Sequence, residues 1–220
     1  QEGILKPLPL QSFPMHNVSS GFRHLAQARN IGKVVITTPK EQQQSAIHIS
    51  DNVSYLVTGG LGALGLTVAE SLIKQGARHL VLTGRRSPSN DAQQHIQRFQ
   101  TLGTTVSVAN ADIADEESVK TLIGRFGTEF PHLGGIVHAA GVLDDGMITQ
   151  QNWSRFETVM APKMLGAWHL HQQTLQQHLT QPLDFFITFS SIASLMGSPG
   201  QGNYAAANAF LDGLMTYRRS

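Results

Sequence analysis

A few side chains near the end of this sequence could move a proton onto an oxygen. Tyr204 and Asn208 stand four residues apart, so on a helix they share one face. Just upstream lies the serine pair Ser190 and Ser191, whose hydroxyls could hydrogen-bond an accepting oxygen. A phenol ordinarily ionises at about pH 10. Giving its proton to a carbonyl oxygen therefore calls for a nearby ammonium, which favours the phenolate left behind. Asn208, not a lysine, stands one helical turn after Tyr204, so the candidate ammonium is Lys163, in the segment APKMLGAWHL.

A second constellation could hold a dinucleotide. Tyr55, Leu56 and Val57 form a short β-type run that empties into TGGLGALG (Thr58–Gly65), and a helical pattern follows from Leu64 to about Gln75. In the order strand, glycine turn, helix, the glycines bring backbone close to a pyrophosphate, and free N–H groups at the helix start face its charge. After the next β-type run comes TGRRSP. A carboxylate at that place would bond a ribose 2′-hydroxyl, whereas arginine can hold a 2′-phosphate. Arg85 and Arg86 stand there, which favours NADPH. Asp112, after the third run, either touches the adenine or only shapes its turn. The fourth run ends in HAAG (His138–Gly141), whose small side chains leave room for the nicotinamide ribose.

The elements that must position these groups alternate. Runs that are continuously apolar or nearly so, at Val53–Thr58, His79–Thr83, Thr105–Ala109, Gly135–His138 and Phe185–Phe189, read as strands of a buried parallel sheet. Helical patterns lie between them at about Leu64–Gln75, Asp91–Leu102, Glu116–Phe126 and Asn152–Leu179, with a last one at Asn203–Arg218. The alternation predicts an α/β fold, a Rossmann-like doubly wound parallel sheet with helices on both faces. Its ligands would lie outside the carboxyl ends of the strands.

Composition narrows the partners. The 220 residues carry a net charge of +1 with 14% charged residues, which offers no basic surface for nucleic acid. There is no cysteine, so disulfides and thiolate zinc sites are excluded. His169 and His171 form the closest histidine pair but have no carboxylate at ligand spacing, so they read as a solvated helix face and no metal is expected. No apolar run reaches the roughly 20 residues of a membrane span. The opening QEGILKPLPL has neither an initiator Met nor a signal-peptide pattern, as expected of a piece of a longer, soluble, cytoplasmic polypeptide. Before Asp51, the sequence suggests a helix at Phe22–Arg29, a strand at Lys33–Thr37 and a Gln-rich linker at residues 40–50. So few elements cannot bury a core, which reads as the tail of a preceding domain.

The segments TGGLGALG, LTGRR, ADI, HAAGVLDD, APKMLGAWHL and FSSIASLMGSPGQGNYAAANAFLDGL together resemble the catalytic half of a ketoreductase domain of a modular polyketide synthase, within the short-chain dehydrogenase/reductase superfamily. The likeness covers residues 51–220, including the exchange of Lys and Asn relative to the wider superfamily, with the last strands missing. It implies NADPH-dependent reduction of a β-ketoacyl group on acyl carrier protein, with Tyr204 donating the proton and Ser191 bonding the carbonyl oxygen. Ser191 is preferred over Ser190 because it stands thirteen residues before Tyr204, the family's usual interval. Lys163 and Asn208 would tune Tyr204 and tie it to a proton relay. Cofactor contacts are implied for Thr58, Gly59, Gly60, Leu61, Gly62, Leu64, Gly65, Arg85, Arg86, Asp112, Ile113, Ala139, Ala140 and Gly141.

Leu143–Asp145 resembles the fingerprint of ketoreductases that give the D-configured (R) alcohol, and Met196 stands where the opposite class carries tryptophan. A B-type enzyme is therefore expected, with Asp145 and Met196 in stereocontrol; alternatively, Asp144 and Asp145 simply cap the loop. Residues 1–39, chiefly FRHLAQARNIGKVVI, resemble the C-terminal tail of an enoylreductase domain, so enoylreductase and carrier domains would be neighbours in the same polypeptide. A fatty-acid-synthase-type or free-standing reductase and a non-catalytic scaffold domain remain as alternatives.

Overall fold

The proline-flanked start and the apolar runs behind it build two different folds. A computed structural model describes residues 8–37, 47–176 and 182–219, and the chain divides into two compact units, residues 1–46 and 47–220. In the first, β1 (Leu10–Pro14), α1 (Val18–Ala26) and β2 (Lys33–Thr37) form a β-α-β unit with parallel strands in register from Leu10↔Lys33 to Pro14↔Thr37. β1 is an addition to the sequence reading. Prolines argue against strands, but Pro14 closes a two-stranded sheet, where its missing N–H leaves no inner ladder unpaired. The helix also lies earlier than Phe22–Arg29, ending at Ala26 as Ala28 turns left-handed at φ 50°. Leu10 and Phe22 are each 65% exposed, so this unit buries little core of its own. Most of the expected linker lies outside the described residues; residues 47–50 already belong to the second unit, where Ile49 is buried and the Ser50 N–H donates to Tyr55 Oη at 2.7 Å.

The second unit runs β3 (Ser54–Thr58), α2 (Ala63–Lys74), β4 (His79–Gly84), α3 (Asn90–Thr101), β5 (Thr105–Asn110), α4 (Glu116–Gly124) and β6 (Leu133–His138). It continues through α5 (Trp153–Met160), α6 (Gly166–Gln176), β7 (Phe185–Thr188), α7 (Ala193–Met196) and α8 (Gly202–Arg219). The sheet is parallel throughout, in the order β5-β4-β3-β6-β7. Strand residues alternate between its faces. Tyr55, Val57, Leu80 and Leu82 pack with Leu66 of α2 and Phe99 of α3, whereas Leu56, Val81 and Ile136 pack with Val119 of α4 and Leu170 of α6. The chain reverses its direction of growth between β3 and β6, and the crevice at their carboxyl ends is the place such a sheet offers a ligand.

The long helix expected over Asn152–Leu179 is interrupted. A π-helical turn, Ala161–Leu165, joins α5 to α6, and residues 177–181 lie outside the described residues. Pro162 supplies the reason: it has no N–H to give an α-helical partner and its ring crowds the carbonyl one turn back, a conflict that a wider turn relieves. The solvated reading of the histidine pair is also corrected. His171 is only 4% exposed, and its Nδ1 lies 2.7 Å from Arg218 of α8 while its ring contacts Trp168 and Tyr217. Burial and the Arg218 charge lower its pKa. Among the described residues no cluster could hold a metal ion, and no helix is long and apolar enough to cross a membrane.

Candidate active site

The glycine turn between β3 and α2 is as tight as its sequence allows. Gly59 adopts φ +64°, and a side chain there would stand 2.8 Å from Ala140 Cα. A side chain at Gly65 would strike the Gly59 carbonyl oxygen. Backbone thus closes on backbone, and the first amides of α2 are left to open space. That space is a cleft of about 490 Å³ walled by Gly59, Leu61, Gly62, Leu64, Gly65, Arg85, Arg86 and Ala139–Gly141, with Ala63, Ser87 and Ser89 added. A smaller cleft of about 140 Å³ shares Arg85, Ala140 and Gly141 with it and adds Asp112, Ile113, Val142 and Pro162. Asp112 also shapes its turn, its Oδ1 accepting from the Ala114 N–H at 3.0 Å. Two of the sequence candidates line neither cleft. Thr58 is wholly buried, and a side chain at Gly60 would stand 2.6 Å from Val57 O and 2.9 Å from Leu82 Cβ. A cradle of bare backbone at a helix N-terminus, flanked by two arginines, fits a dinucleotide with an extra phosphate.

Beyond the HAAG end of this crevice Lys163, Asn208 and Tyr204 meet. Lys163, 5% exposed in the middle of the π turn, donates from Nζ to Phe189 O at 2.8 Å and to Asn208 Oδ1 at 2.9 Å. The same Nζ lies 5.2 Å from the centre of the Tyr204 ring. Asn208 passes the connection on, donating from Nδ2 to the Tyr204 carbonyl oxygen at 2.7 Å. Burial lowers the Lys163 pKa, since the charged ammonium has exchanged water for protein acceptors. Ser190 Oγ donates to the Asn208 backbone oxygen at 3.3 Å, while Ser191 Oγ accepts from the Ala193 N–H at 3.2 Å. Ser190 thus fastens β7's end to α8, and the Ser191 hydroxyl proton is not used by that bond.

The loop after HAAG is held by residues that the sequence reading did not single out. Arg155 of α5 binds the Asp144 carboxylate through Nε at 2.9 Å and the Asp145 carbonyl at 2.7 Å, which holds the Asp144 carboxyl below the usual range. Asn203, fully buried beside Tyr204, donates to the Asp144 carbonyl at 2.8 Å. Asp145 Oδ2 accepts from Gln201 Nε2 at 2.9 Å, tying the loop to the start of α8. Met196 is 81% exposed on α7, and the Ser194 hydroxyl of that helix donates to Asp212 of α8 at 2.6 Å. The only sequence signal for Asn203 was its place next to Tyr204. Arg155 carried none, because its partners lie a loop away. In the sequence His138 reads only as part of a small-residue run. Its imidazole is 1% exposed and burial pushes its pKa down to about 4, so it is neutral at physiological pH.

Comparison with known proteins bears on the family and the fold. A family model described as the KR domain matches residues 53–220. The spectinabilin polyketide synthase system protein NorB of Streptomyces orinoci is 42% identical over 100% of the chain. The phenolphthiocerol synthesis polyketide synthase type I Pks15/1 of Mycobacterium marinum is 38% identical over 99% of it. The chain spans about 10% of the length of each of these relatives. Among solved structures, A-type ketoreductases from a modular polyketide synthase superpose with a TM-score of 0.70 at 39% identity, over 78% of this chain and 36% of that one. A ketoreductase domain from the bacillaene assembly line gives 0.72 at 36% identity, over 77% and 40%. An N-terminal ketoreductase from the macrolactin assembly line gives 0.73 at 30% identity, over 96% and 44%.

Proposed function

The chain belongs to the KR domain family, and within it we propose that it reduces a β-ketoacyl group, held as a thioester on acyl carrier protein, to a β-hydroxyacyl group with NADPH. The observation that carries this reading is the meeting of Lys163, Asn208 and Tyr204, with the Lys163 stem packed beside Gly141 of the glycine-walled crevice. The first turn of α2 and its glycines would receive the pyrophosphate, Arg85 and Arg86 the 2′-phosphate, and Ala139–Gly141 the nicotinamide end. When bound, the nicotinamide supplies the hydride that goes to the carbonyl carbon.

The chain's own part is to place the carbonyl and deliver the proton. The Ser191 hydroxyl donates to the carbonyl oxygen, polarising it and fixing its direction. Tyr204 gives its phenolic proton to that oxygen as negative charge develops there, breaking the phenol O–H bond and forming the hydroxyl O–H bond of the product. Lys163, buried with its ammonium over the face of the ring, stabilises the phenolate left behind. Asn208 holds Lys163 at this distance and starts the relay that returns a proton to Tyr204.

The Leu143–Asp145 loop and Met196 support a B-type product, the D-configured (R) alcohol. Residues 1–39 are the tail of an enoylreductase-like domain and 51–220 the NADP-binding catalytic part; of the linker expected at 40–50, residues 47–50 fold with the second unit. The match of the polyketide synthase relatives to the whole chain, beyond residues 53–220, supports neighbouring domains on one polypeptide. The test is NADPH oxidation by the intact protein with a β-ketoacyl thioester, repeated with NADH and with Tyr204→Phe. Turnover with NADPH, little with NADH and near-complete loss in the variant are expected. Cofactor binding without turnover in the wild type would overturn the reading in favour of a scaffold domain.

A further inference from the structure

A buried chain of hydrogen bonds runs from the cofactor side of the crevice to the backbone of Lys163, and none of the roles above uses it. The Ala140 N–H reaches Thr58 Oγ1 at 3.4 Å, Thr58 Oγ1 meets His138 Nδ1 at 2.7 Å, and His138 Nε2 meets the Lys163 carbonyl oxygen at 3.3 Å. A carbonyl only accepts, so these partners assign the proton to Nε2 and leave Nδ1 to accept from the Thr58 hydroxyl. Thr58 is 0% and His138 1% exposed, so a partner removed here is not readily replaced by solvent.

The place where this chain ends is what gives it a use. Lys163 is the middle residue of a five-residue π-helical turn. Such a turn can migrate by one residue or tighten to an α-turn, and one residue of slip swings a side chain about 100° around the helix axis. That would take the ammonium away from Asn208 and the Tyr204 ring. Packing limits the same two residues. A side chain at Gly166 would lie 3.2 Å from His138 Cε1, and one at Gly141 would lie 3.0 Å from Lys163 Cε, so the absence of both lets the imidazole and the lysine stem lie where they do.

We propose that His138, oriented by Thr58, is a positioning residue that holds the π turn in register and so aims Lys163 at Asn208 and Tyr204. The consequence for turnover rests on the ketoreductase reading above; the pinning of the turn does not. His138→Gln keeps an N–H donor near the place of Nε2, whereas His138→Asn stops short of the Lys163 carbonyl. Thr58→Ser keeps the hydroxyl, and Thr58→Val removes it, releasing the imidazole to its other tautomer.

The four variants are compared in the intact protein by hydrogen–deuterium exchange over residues 159–167 and by steady-state kinetics. His138→Asn and Thr58→Val are expected to speed exchange in that segment and to lower kcat about 10- to 100-fold, as a misplaced catalytic group does. KM for the thioester and Kd for NADPH stay within about twofold, since neither residue lines the clefts. His138→Gln and Thr58→Ser recover most of both readouts. Unchanged exchange in the Asn and Val variants, or a loss expressed in KM and Kd instead of kcat, overturns the proposal. Should His138→Asn fail to fold, the Thr58 pair decides alone. The expected exchange pattern in a wild type that shows no turnover would keep the positioning role and discard the ketoreductase reading.

Discussion

Lys163 and Asn208, 45 residues apart in sequence, meet at 2.9 Å through Nζ and Oδ1. The pair puts an ammonium over the Tyr204 ring although the residue one turn after Tyr204 is an amide. Both residues are buried, so each is the other's means of keeping a polar group satisfied.

Two residues that act through one contact lose activity together. Lys163→Met and Asn208→Ala are each expected to lower kcat about 100-fold, and the double variant little further, because the second change removes nothing that the first has left. Steady-state kinetics of the four proteins measure the coupling. Independent, multiplying losses would show that the two side chains act separately.

Arg85 and Arg86 wall the larger cleft at its strand-β4 end. Replacing both by alanine should raise KM for NADPH about tenfold or more while leaving KM for NADH nearly unchanged, since only the former carries a 2′-phosphate. Equal losses with both cofactors would place the arginines elsewhere on the nucleotide.

A side-chain carbon added at Gly65 would strike the Gly59 carbonyl oxygen and stand 2.6 Å from Gly60 Cα, and neither backbone atom can give way as a flexible side chain would. Gly65→Ala should destabilise the fold by about 1–3 kcal/mol and abolish cofactor binding. Gly213→Ala, in α8 with nothing within 4 Å of the added carbon, should instead stabilise by about 1 kcal/mol. Chemical denaturation and NADPH titration separate the two cases.

His138 makes stability depend on pH. Unfolded, its imidazole ionises at about pH 6.5, whereas in the fold burial lowers this to about 4. Between those values the unfolded chain binds a proton that the folded chain refuses, so stability is full above about pH 6.5 and falls as pH drops toward about 4. The loss attributable to His138 is about 3 kcal/mol, and the lowered pKa of His171 acts in the same direction. Urea denaturation at pH 7 and 4.5 should show a larger fall for the wild type than for His138→Gln. Parallel falls would mean that His138 is not buried neutral.

Asp145 joins the loop after β6 to the start of α8 through Gln201. Asp145→Ala should lower the enantiomeric purity of the alcohol more than it lowers kcat, because it loosens a loop beside the reacting groups without touching Lys163 or Tyr204. Chiral chromatography of the product reads this directly. Pure L-configured product from the wild type would instead remove the B-type assignment.

Local chemistry made much of this protein readable in one dimension. The order of β3, glycine turn and α2 follows from which residues tolerate close backbone, and the alternation of apolar strands with polar helices follows from burial on both faces of a parallel sheet. Asp115, just before Glu116 and Glu117, marks the start of α4 in the sequence because a side-chain cap acts within a few residues, and it accepts from the Ser118 N–H at 2.8 Å. The sequence also supplied Tyr204, Ser191, Lys163 and Asn208 as candidates, but not their contacts. The π turn at Pro162, the bond from Lys163 to Asn208 and the burial of His138 and His171 depend on what the neighbouring elements present across space. A proline inside a helical pattern can break, kink or widen it, and in the fold the widened turn sets Lys163 between His138 of β6 and Asn208 of α8. A histidine reads alike in a solvated face and in a core until its partners arrive. For His138 those partners are Thr58 and the Lys163 carbonyl, 80 and 25 residues away, brought within reach by the parallel pairing of β3 with β6 and by the crossover that returns through α5.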